Sequence, residues 1–247
     1  MSNTERLLHE TTSLCKVCKA AVSARVVAID NGEVWMRKHC AAHGDQEARL
    51  STDASWYERT RAIMPVHLYG HALDLSRLAD LQKRFDLTVI EDCAQAIGAK
   101  SNGLAVGSVG RCSALSFYPT KNLGALGDGG AICTNSAAIA KRLREQRDGG
   151  RRGGQVTYVP GINSRLDEMH ACYLRAFLPA LPLWNAERNR IAALYDEGLT
   201  DCRGVQLVER TGESVCHLYV IRARKRDALR RYLGEHGVGT GVHYPVP

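Results

Sequence analysis

The run Leu87-Thr-Val-Ile-Glu-Asp92, a strand rich in β-branched residues closed by two carboxylates, decides the fold. Upstream, Asp74 can cap a helix whose apolar positions Leu75, Leu78, Ala79, Leu81 and Phe85 share one face. Before it, Ala62-Ile-Met-Pro-Val-His67 is a short apolar run. Downstream, Ala114-Leu-Ser-Phe-Tyr118 reads as a strand halted by Pro119. Gly129-Gly-Ala-Ile-Cys-Thr134 reads as a third, followed by a helix from Ser136 to about Arg147. Strands alternating with helices predict an α/β domain of buried, mostly parallel strands covered by helices. A glycine-rich loop, Gly149 to Gly154, leads to long helices between Asp167 and Gly198. The strand-like His217-Leu-Tyr-Val-Ile-Arg222 and a helix from Arg226 to His236 form a small α+β piece. There are no internal repeats.

The first 60 residues have a different rhythm. Ala24-Arg-Val-Val-Ala-Ile-Asp30 and Glu33-Val-Trp-Met-Arg-Lys38 flank Asn31-Gly32, a strong hairpin turn. Cys15-Lys-Val-Cys18 precedes the hairpin and Cys40-Ala-Ala-His43 follows it, while Asp53 to Arg61 reads as a connecting helix. Two such knuckles brought together offer zinc a closed tetrahedron of S and N ligands, and a unit with so few large apolar residues gains folding energy from a metal. The candidate ligands are Cys15, Cys18, Cys40 and His43, with His39 as a substitute for His43. With all four positions filled by protein, such a site is structural. The alternative is a set of buried free thiols beside a surface histidine.

The chain has 247 residues, 45% of them hydrophobic, which excludes wholesale disorder. Nine cysteines, six of them scattered singly, do not form a disulfide framework. The formal charge of +7 sits largely in Lys141–Arg147, Arg151-Arg152 and Arg222–Arg226, each with acids nearby and no interleaved aromatics, so solvated faces are expected rather than a nucleic-acid surface. No apolar stretch reaches the roughly 20 residues that span a bilayer, and the charged start is unlike a signal peptide. A soluble cytoplasmic protein, away from membranes, is expected.

Three residues suggest chemistry. Asp92 ends a buried strand, where α/β sheets place ligands; Ser116 lies in another strand; Lys121 follows the break at Pro119 among turn formers and apolar residues, where an amine can be desolvated. Taken singly these are weak signals, and an ordinary surface role is the better account of each.

Two resemblances add to this. Thr12-Ser-Leu-Cys15-x2-Cys18, Ala-Arg-Val-Val, the Gly-x-Val-Trp hairpin and Lys-x-Cys40-x2-His43-Gly resemble the zinc-ribbon-like leader of some radical SAM enzymes, over about the first 60 residues. The Cys-x3-Cys-x2-Cys run of a radical SAM cluster is absent from the sequence, so radical chemistry is not implied. From Ala62 onward, Pro65-Val-His-Leu-Tyr-Gly70, Val89-Ile-Glu-Asp92-Cys-Ala-Gln95, Ser116-Phe-Tyr-Pro-Thr-Lys121-Asn-Leu-Gly, Gly127-Asp-Gly-Gly, Asn163-Ser-Arg-Leu-Asp-Glu168 and Gly239-Thr-Gly-Val-His-Tyr-Pro245 occur in that order. Together they resemble the DegT/DnrJ-type sugar aminotransferases, pyridoxal-phosphate enzymes of fold type I.

That resemblance implies Lys121 as the lysine that forms an imine with pyridoxal phosphate and moves the proton between cofactor and substrate carbons. It implies Asp92 on the pyridine nitrogen, Gln95 near the ring and its 3-oxygen, and Ser116 on the cofactor phosphate. Asn163 would reach the phosphate of a partner subunit in a homodimer. His217, His243 and Tyr244 are candidates for lining the substrate pocket, with core or turn roles as the alternative; Gly127-Asp-Gly-Gly is either a phosphate loop or the entry to a strand. The implied substrates are a keto-sugar nucleotide and an amino donor, glutamate or glutamine. The implied organisation is a zinc-ribbon-like unit over 1–60, a large-domain portion over 61–200 and a truncated small-domain portion over 201–247. The family's N-terminal section, with its Gly-Thr phosphate cup and ring-stacking aromatic, has no counterpart before Pro65. Its closing helices have none after Pro247. Two expectations follow: an aminotransferase, or a non-catalytic fusion in which the ribbon is a structural or binding module.

Overall fold

Ile29 and Glu33 close the Asn31-Gly32 turn, with the Ile29 N–H donating to Glu33 at 3.0 Å and the Gly32 N–H to Ile29 at 2.9 Å. A computed structural model describes residues 5–58 and 61–245, apart from the Trp56 side chain. The chain divides into two compact units, Met1–Arg61 and Ala62–Pro247.

The first unit is larger than a hairpin. Strands β1 (Glu5–Leu14), β2 (Ala21–Ile29), β3 (Val34–Cys40) and β4 (Gly44–Ser51) form an antiparallel meander in the order β1-β2-β3-β4. The outer strands escape sequence reading because their side chains are mostly exposed on both faces, which leaves no apolar alternation. Among the described residues its fully hidden apolar side chains are no larger than valine: Ala24, Val26, Val27, Ala28 and Val34, joined by the thiols of Cys15 and Cys40. Of the helix expected over Asp53–Arg61, the described residues form one turn, α1 (Ala54–Tyr57); residues 59 and 60 lie outside them.

The second unit is built on a sheet ordered β10-β9-β6-β5. Strand β5 (Ala62–Ile63) is followed by a short 3-10 turn over Leu68–Gly70, then by α2 (Leu75–Phe85), capped by Asp74 whose carboxylate accepts from the Arg77 N–H at 3.1 Å. Then come β6 (Thr88–Asp92), the small pair β7 (Lys100–Ser101) and β8 (Leu104–Ala105), β9 (Cys112–Ser116) and β10 (Gly130–Cys133). Strands β5, β6 and β9 run parallel, but β10 is antiparallel to β9. The expected third parallel strand is therefore an antiparallel edge: no helix intervenes between β9 and β10, and a direct return can only pair antiparallel. Gly130 opens β10, so Gly127-Asp-Gly-Gly is a strand entry.

Helices α3 (Ala137–Arg147), capped by Ser136, α4 (Glu168–Phe177) and α5 (Leu181–Leu199) fall where expected. After them come β11 (Val205–Leu207), β12 (Ile221–Ala223) and α6 (Arg226–Glu235). The strand expected from His217 begins only at Ile221. The backbone at Val215, His217 and Leu218 is committed instead to the turn at Tyr69-Gly70. Two apolar clusters lie beneath this frame: Ala72, Ala96, Ala99 and Val215, and Leu123, Ala125, Leu174 and Leu181. After α3, Arg151 and Arg165 pair with Asp148, and Arg152 pairs with Glu145 of the helix. Among the described residues no helix is long and apolar enough to cross a membrane.

Candidate active site and metal centre

The hairpin brings the two knuckles of the first unit together. Cys18 Sγ and Cys40 Sγ lie 3.8 Å apart, and His43 Nδ1 lies 3.7 Å from Cys15 Sγ and 3.5 Å from Cys40 Sγ. All four ligand atoms lie within 4.8 Å of one another. A tetrahedron with zinc–sulfur bonds of about 2.3 Å places its sulfurs about 3.8 Å apart, so the spacing fits zinc. His39 is turned elsewhere, with Nδ1 2.7 Å from an Asp45 carboxylate, and is not part of the cluster. Gln46, which sequence reading missed, donates its amide to Cys15 Sγ at 3.1 Å. Burial would raise the Cys15 thiol, but Gln46, the backbone N–H groups of Cys18 and Val17 and the Cys18 thiol bring it down to about 5, which favours the thiolate a metal needs.

In the second unit the two faces of the sheet differ. Val89, Glu91 and Ser113 point into the interior. Asp92 pairs with Ala114 across β6 and β9, and Ser116 follows two residues later, so all three lie on the opposite, open face. Asp92 is fixed through its main chain: its N–H donates to Pro65 at 2.9 Å and its carbonyl accepts from His67 at 3.0 Å. One carboxylate oxygen accepts the Ala94 N–H at 3.0 Å, and the other has no partner among the described residues. Ser116 Oγ accepts the Tyr118 N–H at 3.3 Å, and the Lys121 N–H closes a turn onto Tyr118 at 2.8 Å. The half-buried Lys121 amine has no hydrogen bond or ion pair among the described residues. An unpaired carboxylate oxygen, an unpaired amine and a strand-end hydroxyl fit part of the donor and acceptor set that pyridoxal phosphate takes; the phosphate cup and the ring-stacking aromatic are not among the residues from Pro65 onward.

Behind Asp92 lies a buried clamp. The Leu73 N–H donates to His67 Nδ1 at 3.1 Å, so Nε2 carries the ring proton and donates it to Glu91 at 3.0 Å. The same carboxylate accepts the N–H groups of Gly107, Val109 and Gly110 at 2.8, 2.9 and 2.6 Å. Burial alone would raise the Glu91 carboxyl, but these four donors hold it below its usual range.

A second group converges through Tyr69, another residue sequence reading missed. Its backbone takes the uncommon φ of 60°, its N–H donates to Gln95 Oε1 at 2.7 Å, its hydroxyl donates to the His243 carbonyl at 2.8 Å and its carbonyl accepts the His217 N–H at 2.9 Å. Gln95 Nε2 lies 3.4 Å from the Tyr244 hydroxyl. A Cβ on Gly70 would fall 2.7 Å from the His217 nitrogen, at φ +93°, so glycine is what lets the segment carrying His217 come this close. Burial first, then the positive charges of Lys121, Arg188 and His243, push the His217 imidazole down to about 4. Gln95, His217, His243 and Tyr244 thus meet around Tyr69. Asn163 does not join them: it is exposed, and its backbone bridges Asp148.

Residues 53–247 match the family described as the DegT/DnrJ/EryC1/StrS aminotransferase family. The chain belongs to it. Residues 7–52 match the HMPTM N-terminal zinc ribbon domain. Among curated relatives of this DegT/DnrJ/EryC1/StrS chain, the erythromycin biosynthesis sensory transduction protein EryC1 of Saccharopolyspora erythraea is 47% identical, over 76% of this chain and 52% of that protein. The dTDP-3-amino-3,4,6-trideoxy-alpha-D-glucose transaminase of Streptomyces venezuelae is 45% identical, over 76% and 50%. The crystal structure of S. venezuelae DesV in complex with a ketimine intermediate superimposes with a TM-score of 0.73 at 45% identity, covering 76% of this chain and 52% of that one. The fold of the second unit is thus that of fold type I aminotransferases. The chain spans about half the length of the curated relatives it matches.

Proposed function

We propose that this chain carries the reaction centre of a pyridoxal-phosphate aminotransferase that moves an amino group from glutamate or glutamine to a keto-sugar nucleotide, with a structural zinc ribbon held by Cys15, Cys18, Cys40 and His43. The observation that supports this reading is the open strand-end face, where Asp92 and Ser116 lie on adjacent parallel strands, with Lys121 five residues beyond Ser116.

Pyridoxal phosphate, when bound, supplies an electron-withdrawing ring that stabilises a carbanion at the substrate carbon. Asp92 keeps a proton on the ring nitrogen through its free carboxylate oxygen. Ser116 Oγ would bind the phosphate, and Gln95, oriented by the Tyr69 N–H, would hold the ring side of the cofactor. Lys121 Nζ accepts the proton from the substrate carbon and returns it. His217, His243 and Tyr244 line the sugar side. Asn163, exposed and apart from this group, serves the phosphate across a homodimer. The named activities of relatives support the substrate class: one is a dTDP-aminosugar transaminase and another a UDP-N-acetyl-3-dehydro-alpha-D-glucosamine 3-aminotransferase.

Incubation with pyridoxal phosphate, reduction with borohydride and peptide mapping test the reading. A pyridoxyl group on Lys121, absent from Lys121→Ala, supports it. No adduct in either protein leaves the non-catalytic alternative, with the ribbon as a structural or binding module.

A further inference from the structure

Three consecutive residues of the first knuckle, Leu14, Cys15 and Lys16, are gripped by two side chains whose residues stand opposite each other on β3 and β4, Lys38 and Gln46. The Lys38 amine donates to the Leu14 carbonyl, and to Ser13 Oγ at 3.1 Å. Gln46 makes two bonds to the knuckle: Oε1 accepts the Lys16 N–H at 2.8 Å, and Nε2 lies 3.1 Å from Cys15 Sγ. The first bond fixes the second. A backbone N–H can only donate, so the amide atom facing Lys16 is the oxygen and the atom facing Cys15 is the NH2 group. Flipping the amide would set NH2 against N–H and oxygen against sulfur.

Of the four candidate ligands, Cys15 and Cys40 are buried, Cys15 the more deeply, while Cys18 and His43 are exposed. A thiolate held away from water is costly unless hydrogen-bond donors face it. Cys15 Sγ has two, the Val17 N–H at 3.4 Å and Gln46 Nε2. Val17 belongs to the knuckle itself, whereas Gln46 arrives 31 residues later, from β4. Gln46 lies three residues past His43, so the strand that leaves the second knuckle brings a donor back to the first. We propose that Gln46 is a positioning residue of the zinc centre: its side-chain amide, oriented by the Lys16 N–H, hydrogen-bonds the Cys15 thiolate and holds it as a zinc ligand. This role rests on the reading of Cys15, Cys18, Cys40 and His43 as a zinc site. An N–H aimed at a metal-bound sulfur draws off part of its charge and fixes the direction of its remaining lone pairs.

Two substitutions separate this role from simple fastening of the turn. Gln46→Met keeps the length of the side chain and loses both bonds. Gln46→Glu keeps an oxygen for the Lys16 N–H and puts a carboxylate oxygen where the donor to sulfur stood. Zinc affinity of the full chain, measured near neutral pH by competition with a chromophoric chelator, should fall about 10–100-fold in each. Either variant binding zinc as tightly as the wild type overturns the proposal, and a harmless Gln46→Glu would reduce Gln46 to a fastener of Lys16. Cobalt(II) loaded in place of zinc reads the sulfur itself. Without the N–H the thiolate gives up its electrons more easily, so the sulfur-to-cobalt charge-transfer band should move to longer wavelength in both variants; a band left in place in either overturns the role. A wild-type chain that takes up no zinc defeats the zinc centre and this role together. One zinc per wild-type chain, with unchanged affinity in the variants, defeats only the role of Gln46.

Discussion

Replacing Glu91 with glutamine keeps the shape of the buried side chain and removes half of its acceptors. In the native protein one carboxylate oxygen accepts from His67 and Gly107, and the other from Val109 and Gly110. A glutamine offers one oxygen and one NH2 group. Whichever way the amide turns, two of the four N–H donors face a third donor instead of an acceptor. His67 cannot escape by moving its proton, because Nδ1 is already committed to the Leu73 N–H. A buried donor left without a partner costs about 1–3 kcal/mol, so the substitution should cost about 2–6 kcal/mol in all. For a domain of this size each kcal/mol lowers the melting temperature by about 2–4 °C, giving a fall on the order of 10 °C. Thermal unfolding followed by near-UV circular dichroism measures it. A Glu91→Gln protein melting within about 2 °C of the wild type would show that the carboxylate is not the hub the hydrogen bonds describe.

Other consequences can be checked as directly. Chelating the metal should unfold the ribbon, because among the described residues its fully hidden apolar side chains are no larger than valine; hydrogen exchange of the β2 and β3 amides reads this, and unchanged protection would contradict it. Gly70→Ala should destabilise by about 2–3 kcal/mol through its positive φ and the Cβ forced against the His217 nitrogen, and a neutral urea midpoint would refute the close approach. His217 takes up its proton at about 6.5 when unfolded and only at about 4 when folded, so stability should decline as pH falls from about 6.5 toward 4; His217→Gln should remove that part of the slope, and parallel slopes would count against burial of a neutral ring. Glu91, also depressed, should add its own loss only below its ordinary 4.5, a step missing from Glu91→Gln.

How far the sequence could be read depended on whether a signal was local. The α2 helix was legible because Asp74 caps it and its apolar residues recur at helical spacing. The zinc ligands were legible because two knuckles flank a marked turn, although only the fold chooses His43 over His39, by sending His39 to Asp45. Strands β1 and β4 were not, since their exposed faces carry no alternation. The expected strand at His217 failed because its backbone partners are Tyr69 and Gly70, about 150 residues earlier in the chain. In the site, Asp92, Gln95, Ser116 and Lys121 lie in short motifs that can be recognised. Tyr69 matters through partners far away in sequence, and a polar residue inside a long helix, such as Asn185 in α5, reads as solvent-facing until the fold buries it. Glu91 was visible as half of an acidic pair, but nothing local distinguished the buried hub from the open-face carboxylate beside it.

The central claim is that Asp92 and Lys121 serve one heterocycle. A crystal structure of the chain grown with pyridoxal phosphate decides it most directly. The account predicts continuous density from Lys121 Nζ to the cofactor, with the ring nitrogen within about 3 Å of the Asp92 carboxylate. Cofactor bound elsewhere, or held by Lys121 with its ring nitrogen far from Asp92, would contradict it.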